Sequence, residues 1–307
     1  MRTLPTLMTR DALLLAAAIA LPTLGASSAG CGGGTDLSPA MPDPTVVDRS
    51  ADDMDLPEAS GPMPGTEDDA GSGGEDGAAS TPSVSAGTNT AIEGTTPRIR
   101  IVEPRDGQQI RTGNVMLRLR LSDWELEPTG RHVHVIVDNE PYIAVRDVSQ
   151  PIDLNALVQQ NLGHELAEGT HVVRVFPSRG HHESVKTDGA FATKVFHFRS
   201  RTPDFEFDPA APLLTYSRPK GCNVAGDRVL LDFYVSNTTL AADGNRVHYD
   251  IDGQVQGDIT TWVPHWIEDL GVGEHSIQLQ LRDANGEPVA GMFNDTTRVI
   301  RVASSCE

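Results

Sequence analysis

Residues 115–121 read VMLRLRL and residues 132–138 read HVHVIVD. The same phrasing returns 114 positions further on (115 to 229 and 132 to 246), as VLLDFYV at 229–235 and RVHYDID at 246–252. Each phrase alternates apolar and polar side chains with a period of two, which places residues i and i+2 on one face of an extended strand. Working outward, Gly130 and Gly244 precede the second phrase of each copy. A Gly-x-His triplet opens a third strand (GTHVVRVF at 169–176, GEHSIQLQL at 273–281), and a fourth runs over Phe191–Phe198 and Phe293–Val302. Pro104 and Pro219 stand at the head of each copy, where strand-edge prolines belong. Short alternating runs separated by Gly, Asp, Asn and Pro are the pattern of antiparallel sandwiches, so the fold class expected is all-β, with helical turns only near Leu154–Leu162 and Val263–Leu270.

The chain of 307 residues carries a formal charge of −19, and its 15 aromatic residues all follow Pro97. Residues 32–97 hold 13 acidic side chains against Arg49 alone, a net −12; residues 1–31 contribute +1, which leaves −8 for residues 98–307. A stretch rich in Gly, Ser, Pro and Asp and nearly free of Leu, Ile and Val cannot bury enough to repay its ordering entropy. Residues 32–97 therefore read as a disordered acidic tether. Acidity without a basic cluster excludes nucleic acid as a partner.

Arg2 and Arg10, the apolar run Ala12–Ala20 and the small residues Gly25–Gly30 form an export signal, with Met8 as an alternative start. Ser28-Ala29-Gly30-Cys31 resembles the lipobox of bacterial lipoproteins, although Ser28 stands where that family usually has Leu. The resemblance implies cleavage before Cys31, acylation of its thiol, and anchoring to the membrane by acyl chains; Gly32 in place of an Asp favours the outer membrane. From Arg98 on, the two copies resemble immunoglobulin-like or fibronectin-type modules of bacterial surface lipoproteins. The expected organisation is a signal peptide over 1–31, a tether over 32–97, and sandwiches over 98–202 and 210–306. Cys222 and Cys306 are expected to pair, because an exported chain meets an oxidising compartment.

Alternation sends Val133, Val135 and Val137 into the first core and His132, His134 and Ile136 outward; the neighbouring strands add Arg174, Phe176 and His197 to that outer face. His171 and His275 keep parity with core residues and read as structural. An outer face mixing histidine, apolar groups and one arginine is seldom left bare. It is expected either to be covered, by the connection 139–165 or by the second domain, or to bind an envelope protein or polysaccharide. The principal function expected is non-enzymatic binding or scaffolding at the envelope through the first sandwich, with no cofactor. The alternative is a copper or zinc site on His132 and His134, joined by His197 or by the loop residues His181, His182 and Glu183. That loop, with Lys186, is also a candidate for an anionic or sugar ligand. The His-Val-His strand resembles the copper-binding strand of copper/zinc superoxide dismutases, but the further histidine those enzymes require is missing at the needed spacing. No nucleophile elbow, phosphate loop or dinucleotide fingerprint is present, so no enzymatic activity is expected.

Overall fold

A computed structural model describes residues 81–306. In chain order the elements are β1 (Ser83–Ala86), β2 (Arg98–Glu103), β3 (Gln108–Ile110), β4 (Met116–Ser122), β5 (His132–Val137), β6 (Ile143–Val145), β7 (Ile152–Asp153), α1 (Leu154–Leu162), β8 (Gly169–Ser178) and β9 (Ala192–Phe198). They continue with β10 (Leu213–Arg218), β11 (Cys222–Val224), β12 (Val229–Ser236), β13 (Arg246–Ile251), β14 (Val255–Ile259), β15 (His265–Glu268), β16 (Gly273–Arg282) and β17 (Asp295–Ala303).

The strands form four sheets, two to a sandwich. In the first sandwich β2-β4-β7 faces β3-β9-β8-β5-β6; in the second, β1-β15-β12-β10 faces β11-β17-β16-β13-β14. The copies share one path. Their first strands, β2 and β10, pair antiparallel with β4 and β12. Pro104 and Pro219 follow at once, and a short strand then joins the opposite sheet in parallel with the last strand, β3 on β9 and β11 on β17. A proline suits that crossing because it has no N–H to give to either ladder.

Alternation is realised in the cores. Val133, Val135, Val137, Val173, Val175, Phe196 and Phe198 fill the first with Leu117, Leu119 and Leu154. Val247, Ile251, Ile277, Leu279, Leu281, Ile300 and Val302 fill the second with Leu231, Phe233 and Val235. The expected helical turn over 154–162 is α1, started by Asp153, whose side chain accepts from the Ala156 N–H, and stopped by Gly163 in the left-handed region at φ 80°. The turn expected near Val263–Leu270 is instead β15. Its HWIE run alternates, burying His265 and Ile267, and pairs with β12 on one side and β1 on the other.

The repeat extends to one side-chain device. Asp138, at φ 52°, accepts from the Val172 N–H at 2.9 Å and from His171 Nδ1 at 2.7 Å, while His171 Nε2 donates to the Ala167 carbonyl at 2.8 Å. Asp252, at φ 56°, accepts from the Ser276 N–H and from His275 Nδ1, both at 2.7 Å, and His275 Nε2 donates to the Gly271 carbonyl at 2.7 Å. The two core-parity histidines thus tie the end of one strand to the start of the next. Cys222 and Cys306 form a disulfide with Cα atoms 5.7 Å apart, fastening β11 to the end of the chain.

The expectation of a structureless tether up to residue 97 is corrected at its end. Ser83–Ala86 pairs antiparallel with β15, and Val84 packs on the second core. An SVSA segment beside the exposed edge of β15 satisfies backbone groups that would otherwise lack ladder partners. Residues 32–80 of the expected tether, with the export signal and Cys31, lie outside the described residues.

Candidate metal centre

The outer face of β5 and β8 is covered by the second sandwich. Ile136 and Phe176 pack with Tyr142 and with Tyr234 of β12 in one buried cluster. Arg174, 1% exposed, donates to Thr215 Oγ1 at 3.0 Å and to the Asp138 carbonyl, and its guanidinium lies 4.0 Å from the Phe293 ring centroid. Lys186 and Asp232 form an ion pair with side chains 1% and 0% exposed, and Asp232 also accepts from the Ser184 N–H at 3.1 Å. Tyr234 adds a hydrogen bond to the Thr187 carbonyl at 2.8 Å. Ile136, Arg174 and Phe176 are therefore interface residues, and no open face exists for them to present. His197, 9% exposed, hydrogen-bonds Thr170 Oγ1 at 2.9 Å through Nδ1.

His132 and His134 lie under this cover, both 0% exposed. Two residues apart on β5, their rings project from the same side of the strand. The turn after β8 supplies a third ring. Its chain doubles back, with the Arg179 N–H donating to the Glu183 carbonyl at 2.9 Å and the His182 N–H to the Arg179 carbonyl at 2.9 Å. His182 takes φ 67° there and reaches over the start of β5. The turn is pinned by Glu183, which accepts from Thr90 Oγ1 at 2.9 Å and from His181 Nε2 at 2.9 Å. Burial opposes the charge on Glu183, yet the His181 and Thr90 hydrogen bonds and the nearby Lys186 bring its pKa down to about 2.

The three rings converge. His132 Nε2 lies 3.0 Å from His182 Nδ1 and 3.0 Å from His134 Nε2, and His134 Nε2 lies 3.4 Å from His182 Nδ1. Three imidazole nitrogens on a tetrahedral ion, with metal–nitrogen bonds near 2.05 Å, stand about 3.3 Å apart. Tautomers favour the same reading. His132 Nδ1–H donates to the Gly130 carbonyl at 2.8 Å, which leaves the lone pair on Nε2, facing the other two rings. His134 Nδ1 is engaged with Ser217 Oγ at 3.2 Å, turning its Nε2 inward as well. Burial, then the neighbouring histidines and cations, hold the His134 pKa well below 6.5; burial, then Arg218, His132, Lys220 and Arg146, do the same for His182. With Nδ1 of His132 and of His134 engaged elsewhere, their Nε2 atoms face each other and Nδ1 of His182, an arrangement of three donors that suits a coordinated cation. Tyr142 closes one side, stacked on His134 with centroids 3.6 Å apart and planes 12° from parallel.

Of the loop residues expected to act together, His182 alone joins His132 and His134; His181 and Glu183 pin the turn, and Lys186 crosses to Asp232. Arg218, which no sequence motif marks, stands beside the cluster. The signal available in the sequence is indirect: β5 and β8 are adjacent strands, so the turn leaving β8 at Ser178 starts opposite His132.

No protein family and no curated protein matches the chain. Among solved structures, the fibronectin(III)-like modules of Clostridium thermocellum CbhA align at 12% identity over 66% of this chain and 93% of that one, with a TM-score of 0.24. The Bacteroides ovatus mixed-linkage glucan utilization protein SGBP-B, in complex with a mixed-linkage heptasaccharide, aligns at 14% identity over 68% of this chain and 48% of its own, with a TM-score of 0.20. CBD12 from CALX1.2 aligns at 12% identity over 67% and 99%, with a TM-score of 0.19. Likenesses this distant carry no argument about function. The β-sandwich fold is read from the chain's own sheets.

Proposed function

We propose that this chain is a lipid-anchored envelope protein that binds a transition metal ion, zinc or copper, through His132, His134 and His182, and that it acts by binding rather than catalysis. The observation that carries this reading is the convergence of three buried imidazole nitrogens, 3.0, 3.0 and 3.4 Å apart, with the outward nitrogen of His132 committed to a carbonyl. Imidazole suits both metals, and a shell of three neutral rings supplies no negative charge. A role in gripping an external protein or polysaccharide through Ile136, Arg174 and Phe176 is not part of this reading, because the second sandwich fills that face.

Calorimetric titration with zinc and with copper is expected to show uptake of one ion, abolished in His132→Ala/His134→Ala and weakened by at least about tenfold in His182→Ala, with all variants folded. Uptake that survives the double substitution sinks the metal reading. The anchor rests on the export signal and Cys31 and is tested apart from it: metabolic labelling with a radioactive fatty acid should mark the wild-type chain and fail on Cys31→Ser. Equal labelling of the two would rule out acylation at that cysteine.

A further inference from the structure

The sheet β2-β4-β7 turns Ile99, Ile101, Leu117 and Leu119 into the first core, so the alternate positions Arg98, Arg100, Arg118 and Arg120 all stand exposed on its outer face. In sequence these four are spread over 98–120 and interleaved with core residues; the pairing of β2 with β4 gathers them into one patch. Arg100 and Arg120 sit directly opposite each other in the ladder, where like charges oppose the pairing. Glu103 answers Arg118 at 3.5 Å, whereas Arg98, Arg100 and Arg120 have no ion pair among the described residues. Val102 and Met116, 43% and 41% exposed, lie among the arginines. A cleft of about 370 Å3 between β2 and β9 is lined by Arg98, Arg100 and Lys194 and extends the basic surface.

A basic, partly apolar patch on a chain of net charge −19 has a partner of matching chemistry in the chain itself. Residues 52–69 read DDMDLPEASGPMPGTEDD, seven acidic side chains without a base, in which Met54 and Leu56 alternate with Asp53 and Asp55. We infer that this segment docks on the outer face of β2 and β4 as an intramolecular clasp, its carboxylates on Arg98, Arg100 and Arg120, with Met54 and Leu56 against Val102 and Met116. The inference stands apart from the metal reading. Reach is sufficient: Asp69 precedes Ser83 by 14 positions and Asp52 by 31. Extended, those lengths span about 45 and 100 Å, against roughly 35 Å for the width of one such sandwich. A single exposed ion pair is worth little, but several on one tethered segment have only the closing of a loop to overcome.

Glutamyl endopeptidase cuts at Glu58 and Glu67 inside the segment and at Glu75 outside it, and mass spectrometry of the full chain gives a rate at each. Divided by the Glu75 rate, the rates at Glu58 and Glu67 are expected to rise about fivefold in Arg100→Glu/Arg120→Glu, the worth of two exposed ion pairs. In the wild type they should rise as far at roughly 1 M sodium chloride, where charges are screened beyond about 3 Å. Both arginines are exposed, so the variant keeps its core. Adding Asp53→Lys/Asp55→Lys to that variant is expected to restore the protection, which a mere effect of the arginines on folding does not reproduce. Equal normalised rates in wild type and variant, or a charge swap that restores nothing, overturn the inference. Protection lost on dilution assigns the segment to a neighbouring copy and overturns the intramolecular contact. Unprotected Glu58 and Glu67, together with binding to phosphatidylglycerol vesicles that the arginine variant loses, would give the face to a lipid surface and overturn it as well.

Discussion

His171 shows how one side chain can make the fold sensitive to pH. Both its ring nitrogens meet groups that only accept, Asp138 and the Ala167 carbonyl, so the geometry calls for a proton on each. Burial alone would lower its pKa, but the hydrogen bond and charge of Asp138, with the Ala167 carbonyl, raise it overall. A group whose pKa rises on folding stabilises the native state fully below its unfolded value, near 6.5, and loses that contribution as pH rises through the folded value. The protein is therefore expected to lose urea stability from the high sixes upward, and His171→Gln to flatten that slope. An unchanged slope in the variant would place the sensitivity elsewhere. At this scale parity was legible from sequence, since the alternation of β8 puts His171 with Val173 and Val175. The company kept by His182 was not, because it depends on how a seven-residue return from Ser178 to Ser184 folds over a strand 50 positions earlier.

Among the elements, β1 departs furthest from what composition predicts. Its four residues contain one branched apolar side chain, Val84, and nothing in SVSA outweighs the Gly, Ser and Pro that precede it. It is a strand because β15 offers an unpaired edge, and ladder bonds to a preformed partner need little intrinsic propensity. β15 reads from sequence as a helical turn for the matching reason: four residues are too few to establish a period, and its pairing with β12 and β1 decides the outcome. The longer strands, by contrast, carry enough alternation to be read directly. Ser85→Pro removes the ladder donor that faces Trp266 and the hydroxyl that donates to Glu268 Oε1 at 2.7 Å, and is expected to destabilise the protein by about 1–3 kcal/mol. Hydrogen exchange of the β15 amides should rise in that variant; unaltered protection would mean that β1 does not hold this edge.

Across the whole molecule, the two sandwiches are fastened by a hydrophobic patch and by charges that have left water. The Lys186–Asp232 pair, Arg174 with Thr215, and Tyr234 with Thr187 all cross between the copies. The sequence gives a reason to expect a covered face, since the first copy places His132, His134, Ile136, Arg174 and Phe176 outward while the second places Ser276, Gln278 and Gln280 there. It does not say what the cover is, because partner choice rests on side chains such as Asp232 and Tyr234, which look unremarkable within their own strand. The same docking places Ser217 and Arg218 of the second copy beside histidines of the first, so the candidate centre belongs to neither sandwich alone.

The position of β1 also has a mechanical consequence. The chain enters the described structure at the edge of the second sandwich and only then passes to β2 of the first. Tension applied upstream of Ser83 is transmitted through a four-residue ladder to β15, so that the first sandwich and its histidines stay slack until that ladder shears. The strand is placed to act as a fuse: a pull on the chain ahead of Ser83 breaks a short, re-formable contact before it strains the fold that holds the histidine cluster.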